Sequence, residues 1–135
     1  MKFGVDSDGN YGYIKAGADS VTPFSSANFE LVHTDFNATN IMDGSYTIPQ
    51  NGNYLLVYQG THNGLNNGGY NISYNGTINT PILNSGGTNA QPTEYSNYLL
   101  TLHLFNNTKK SDVIKYYFNN RGGAAINRVF IYQIK

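Results

Sequence analysis

A chain of 135 residues and 14.9 kDa has room for one domain. Charged residues make up only 12% and the net charge is +0, which excludes the basic footprint of a nucleic-acid binder. The absence of cysteine excludes a disulfide framework, thiolate metal sites and a cysteine nucleophile together.

With so little charge, solubility falls to amides, hydroxyls and glycine-rich turns: 15 Gly, 12 Tyr and about twenty Asn. Such a surface suits neutral partners, a glycan or another protein. The opening residues Met1 to Asp6 lack the apolar core of a signal peptide, and no later stretch has the length of a membrane span. The expectation is synthesis in a cytosol with no membrane insertion. Gly, Asn, Asp and Pro recur about every eight to twelve residues, and the runs between them are rich in Tyr, Ile, Val, Leu, Phe and Thr, the pattern of an all-β sandwich or barrel.

In chain order, Phe3-Gly4-Val5 and Tyr11-Gly12-Tyr13-Ile14 flank Asp8-Gly9, which predicts a short hairpin. Pro23 places its flank at a sheet edge, ahead of a strand at Phe29 to His33. Gly44 to Ile48 and Asn53 to Gly60 enclose Asn51-Gly52, the strongest local hairpin signal. Tyr70, Ile72 and Tyr74 alternate with small polar residues and share one face of a strand. A weak strand is expected from Ile78 to Leu83, then a surface loop. Three antiparallel strands end the chain, at Tyr98 to Phe105, Asp112 to Phe118 and Arg128 to Ile134. Leu100, Leu102 and Leu104, with Phe130, Tyr132 and Ile134, are the expected core triplets.

Two resemblances extend this reading. The segment from Gly44 to Tyr58, in which a strand meets Pro49, turns at Gly52 and continues into an aromatic-led apolar strand, resembles the C1q/tumour-necrosis-factor family. So does the tail, with its leucine-rich strand, the turn at Asp112 leading Val113-Ile114, and a closing strand holding Val129-Phe130. The chain departs from the animal pattern in lacking cysteine and in its asparagine content. The leader DSDGNYGYIKAGADSVTPF, residues 6–24, resembles a segment of phage and prophage structural proteins. The resemblance implies an antiparallel jelly roll over residues 24–135 that assembles as a homotrimer, preceded by an attachment segment over residues 1–23 using Tyr11, Tyr13, Ile14 and Phe24. Tyr70, Tyr74, Tyr98, Tyr116, Tyr117 and Tyr132 exceed what one small core needs, which also favours subunit interfaces.

The implied role is a non-enzymatic bacteriophage virion protein, a head-fibre, decoration or tail-fibre component. It would be assembled in the bacterial cytoplasm, partnered by other phage structural proteins and able to meet host-surface glycans. The alternative is a free lectin-like carbohydrate-binding module, and a glycan hydrolase is the more remote third. The expected glycan- or partner-contacting residues are His62, Asn63, Asn66, Asn67, Asn84, Asn89 and Tyr95, on segments 61–67 and 84–95, because tyrosine stacks on sugar faces and amides satisfy hydroxyls. No cofactor, metal or catalytic residue is assigned. Asp6-x-Asp8-x-Asn10 imitates the start of a calcium loop, but Tyr11 and Gly17 stand where such a loop needs glycine and a bidentate glutamate, so a turn is the reading. His33, His62 and His103 are too dispersed for a metal cluster and are expected at the surface or an interface. His103 is the one to test on a trimer axis. Asp19, Glu30, Asp35, Asp43, Glu94 and Asp112 could pair in space as glycosidase chemistry needs, but isolated acids on a low-charge surface are usually just solvated, and no Gly-x-Ser-x-Gly elbow is present.

Overall fold

The structure, a computed structural model, describes residues 2–9, 11–14, 17–25, 28–39, 41–61, 69–84, 99–119 and 126–135. These residues form the strands β1 (Lys2–Val5), β2 (Tyr11–Ile14), β3 (Thr22–Pro23), β4 (Phe29–Asn37), β5 (Ile41–Thr47), β6 (Gly52–Thr61), β7 (Gly69–Tyr74), β8 (Thr77–Ile78), β9 (Leu83–Asn84), β10 (Leu99–Thr108), β11 (Val113–Asn119) and β12 (Ile126–Ile134). Among them no helix is long and apolar enough to cross a membrane.

The first three strands make a small antiparallel sheet in the order β1-β2-β3. Its first turn forms where Asp8-Gly9 predicts it. Asp6 Oδ1 accepts the Asp8 amide at 2.9 Å, the Asp6 carbonyl accepts the Gly9 amide at 3.1 Å, and Gly9 takes a φ of 84°. A side chain on Gly12 would put its Cβ 2.1 Å from the Thr22 carbonyl oxygen, so β3 can close on β2 only over glycine. The Asn28 amide then donates to the Pro23 carbonyl at 3.0 Å, and Phe24 meets Phe29 edge-on with ring centroids 4.9 Å apart. These contacts tie the leader to β4.

The remaining strands form an antiparallel two-sheet sandwich: a five-stranded sheet in the order β4-β12-β6-β10-β9 and a four-stranded sheet in the order β5-β11-β7-β8. From β4 to β7 the chain changes sheet at every step, and it does so again through β10, β11 and β12. The strongest hairpin signal is therefore corrected. Asn51-Gly52 is a crossover between sheets, with neither residue at positive φ. The preceding Ile48 exchanges backbone bonds with the turn before β11, its amide donating to the Asp112 carbonyl and its carbonyl accepting from the Ser111 amide, both at 2.8 Å. The last three strands likewise form as expected but pair elsewhere: β12 lies between β4 and β6, and β11 between β5 and β7. The segment Ile78 to Leu83 is not one strand but the ends of two, β8 and β9.

The main core lies between the sheets. Tyr54, Leu56 and Tyr58 of β6, Phe105 of β10 and Val129 and Ile131 of β12 face Met42 of β5, Ile72 of β7 and Ile114, Tyr116 and Phe118 of β11. Tyr58 and Phe118 stack with centroids 3.6 Å apart and planes 7° from parallel. Of the predicted triplets, Leu102 and Leu104 of β10 and Phe130, Tyr132 and Ile134 of β12 do share a face, but it is the other one, and the side chain of Leu100 lies outside the described residues. Leu102, with Phe29 and Leu55, centres a second cluster that Val57, Ile82, Tyr132 and Ile134 flank. The inward positions of β10 and β12 are Thr101, His103, Phe105, Asn127, Val129 and Ile131, all buried. Strands β6, β10 and β12 carry apolar residues on both faces, so alternation alone does not say which face is inward.

Candidate functional site

Of the residues expected to contact a glycan or partner, His62, Asn63, Asn66, Asn67, Asn89 and Tyr95 lie outside the described residues. Asn84 sits on β9 with its side chain also outside the description. Tyr11 and Tyr13 of the expected attachment segment lie on β2 in the same condition. Ile14 is half-buried beside Gly4, and Phe24 keeps 37% of its surface exposed.

The interior holds polar groups that the sequence reading placed outside. His103 is fully buried between the sheets, where its Nδ1 lies 2.9 Å from Asn79 Oδ1. Burial pushes its pKa down to about 4, against the opposing effect of hydrogen bonding to Asn79. It therefore cannot meet its copies on a threefold axis: it points inward, and the outward positions beside it belong to Leu102 and Leu104. His33 Nε2 lies 3.0 Å from the Tyr116 hydroxyl, which donates to Asp35 Oδ2 at 2.7 Å. Burial first, then Asp35, raises the Tyr116 pKa, so this phenol stays protonated as a structural strut. Tyr58 donates to Asn127 Oδ1 at 2.6 Å, and the Asn127 amide donates to the Thr39 carbonyl at 2.9 Å. Among the described residues no three His, Cys, Asp or Glu side chains are placed to hold a metal ion.

Most described asparagines do backbone work. Asn51, Asn53 and Asn75 accept the amides of Lys110, Asn107 and Val113 at 2.9, 2.8 and 2.9 Å, tying together the turns at one end of the sandwich. Asn37 bridges Thr39 and Ile41 in the turn after β4, and Asn75 and Asn107 supply positive φ. At the same end Asp112 accepts from the Tyr74 hydroxyl and the Lys109 amide, and these bonds, Tyr74 foremost, hold its carboxyl below the ordinary range. The amide-rich composition thus has a structural cause at these positions, where an Asn side chain replaces a backbone partner.

The aromatic surplus divides between the interior and the outer faces: Tyr116 is buried and Tyr74 packs against the main core, while Tyr132 and Tyr117 lie on the two outer faces. Tyr70 and Tyr98 have side chains outside the description. On the outer face of the five-stranded sheet the register sets Leu31, Tyr132, Leu55 and Leu104 in one row and Thr34, Phe130, Val57 and Leu102 in the next. Its β6–β10 half is covered, with Leu55 4% and Leu102 5% exposed. Its β4 side is open: Leu31 is 50% and Phe36 61% exposed, and Ile126 at the start of β12 is 39% exposed. The Arg128 guanidinium lies over the Phe36 ring at 5.7 Å. Comparison with protein-family models, curated proteins and solved structures found no match. An open aliphatic and aromatic strip with one arginine has the composition of a subunit contact, since interfaces are enriched in aromatics and Arg and poor in other charge. The strip could have been found in the sequence only by knowing that Leu31 and Phe36 are register partners of Tyr132 and Arg128.

Proposed function

We propose that this chain is a non-enzymatic assembly module, a jelly roll that associates as a homotrimer through the outer face of its five-stranded sheet and serves as a bacteriophage virion component. The observation that carries the assembly reading is the open strip of Leu31, Phe36 and Ile126 beside the covered cluster of Leu55 and Leu102. Packing against neighbouring copies would remove that apolar surface from water, and a threefold ring closes when the strip of each copy meets a different patch of the next. The jelly-roll reading draws support from the strand orders, in which β4 to β7 and again β10 to β12 alternate between sheets and β12 returns beside β4. The virion role draws on the leader over residues 6–24. That leader forms its own small sheet and reaches the sandwich through the Phe24–Phe29 contact, a geometry suited to an attachment arm.

Light scattering on the purified chain is expected to give three times 14.9 kDa. Leu31→Asp combined with Phe36→Asp should give a folded monomer, because both residues are solvent-exposed in the single chain. A monomeric mass for the unaltered chain would refute the assembly reading. Deleting residues 1–20 should leave the sandwich folded and abolish incorporation into particles. Undiminished incorporation would remove the attachment role.

A further inference from the structure

The outer face of the four-stranded sheet differs in chemistry from the strip just described. Its rows follow from the register. Asp43, Tyr117 and Asn71 lie abreast on β5, β11 and β7, and Ser45, Lys115 and Ser73 form the next row. Adjacent strands are about 4.8 Å apart, so Asp43 and Asn71 stand about 10 Å apart with the Tyr117 ring between them. Asp43, Asn71 and Lys115 are exposed, and Tyr117 keeps 40% of its surface open.

These side chains are uncommitted. Asp43, Tyr117, Asn71 and Lys115 make no hydrogen bond, ion pair or ring contact among the described residues. This sets Asn71 apart from the asparagines that hold turns, and Tyr117 apart from Tyr54, Tyr58, Tyr74 and Tyr116, whose hydroxyls are all engaged. An open aromatic ring flanked by a free acceptor and a free amide has unmet capacity on the outside of a rigid sheet.

We propose that this face is a binding platform for an uncharged polysaccharide, with Tyr117 stacking on a sugar face and Asp43 and Asn71 bonding the hydroxyls at its rim. The C–H face of a pyranose suits an aromatic ring, a carboxylate accepts from sugar hydroxyls, and an amide both donates and accepts. One acid and one base lie on the two central rows, so the platform has no net charge to attract a polyanion or polycation. The ring of serines and Asn119 around Tyr117 lacks the apolar centre of a protein interface, and the exposed Ile41 and Ile78 stand at the periphery on β5 and β8. The platform is on the opposite side of the sandwich from the assembly strip, so this inference does not depend on the oligomeric state.

The test is affinity electrophoresis of the full chain in gels containing dextran, mannan, galactan, xylan or β-glucan, with hyaluronate and polygalacturonate as charged counterparts. At least one neutral polymer should retard the unaltered protein. Tyr117→Ala should weaken that retardation about tenfold, the equivalent of about 1.4 kcal/mol, while Tyr117→Phe retains it and Asn71→Ala weakens it. Ala38→Ser, in the exposed turn after β4 and outside both surfaces, should leave it unchanged, and thermal midpoints should show every variant folded. Retardation by no neutral polymer, retardation only by the charged ones, or retardation indifferent to Tyr117→Ala would each overturn the proposal.

Discussion

Lowering the pH from 7.5 to 5 should cost the fold about 2 kcal/mol through His103 alone. The imidazole has a pKa of about 4 in the folded chain, because burial between the sheets disfavours its charged form, against an ordinary value of 6.5. The unfolded chain therefore binds the proton first. The stabilisation is fully present above pH 6.5, declines as the pH falls toward 4, and is absent below it. At about 1.36 kcal/mol for each unit of separation the whole effect is about 3 kcal/mol, of which about two-thirds is gone by pH 5. Urea titrations at fixed protein concentration, from pH 7.5 to 4.5, would measure it for the unaltered chain and for His103→Gln. His33, His62 and the carboxylates are common to both proteins, so the difference between the two curves isolates His103. The variant should be the less stable at pH 7.5, and its curve should be flatter. Parallel curves would show that His103 titrates alike in the folded and unfolded chain and so is open to water, and the inward placement of β10 would fall with it.

Gly44→Ala should destabilise the sandwich by about 1–3 kcal/mol, since the added Cβ would stand 2.4 Å from the Tyr116 ring, and denaturant midpoints would register the change. Leu102→Asp should prevent folding or assembly, because Leu102 is 5% exposed and an unpaired charge there costs several kcal/mol; a soluble variant with an unchanged circular-dichroism spectrum and unchanged mass would contradict that. Tyr58→Phe removes the hydroxyl that donates to Asn127 at 2.6 Å and should lower stability by about 1 kcal/mol, read from the same titrations.

Strand positions were readable because strand runs and turn residues are local signals. The runs at Asn53 to Gly60, Asp112 to Phe118 and Arg128 to Ile134 fall within a residue or two of β6, β11 and β12, and Asp8-Gly9 forms its turn. The face of Ile72 and Tyr74 was also readable, since β7 alternates with polar residues: Ile72 is buried and Tyr74 packs on the core. The sites were much less legible. Both the open strip and the Tyr117 platform join residues from strands distant in sequence, and neither has a local motif.

What the sequence by itself determined is the all-β character and the approximate place of most strands, because period-two alternation and turn chemistry act over a few residues. What only the tertiary structure decided is which sheet each strand joins and which face turns inward. Asn51-Gly52 became a crossover because Ile48 found its backbone partners in the turn before β11. Leu102 and His103 exchanged their expected places because β10 is covered on both sides, one by the opposing sheet and one by the cluster of Phe29 and Leu55. A strand with two buried faces has no polar side to set its orientation, so its neighbours settle it.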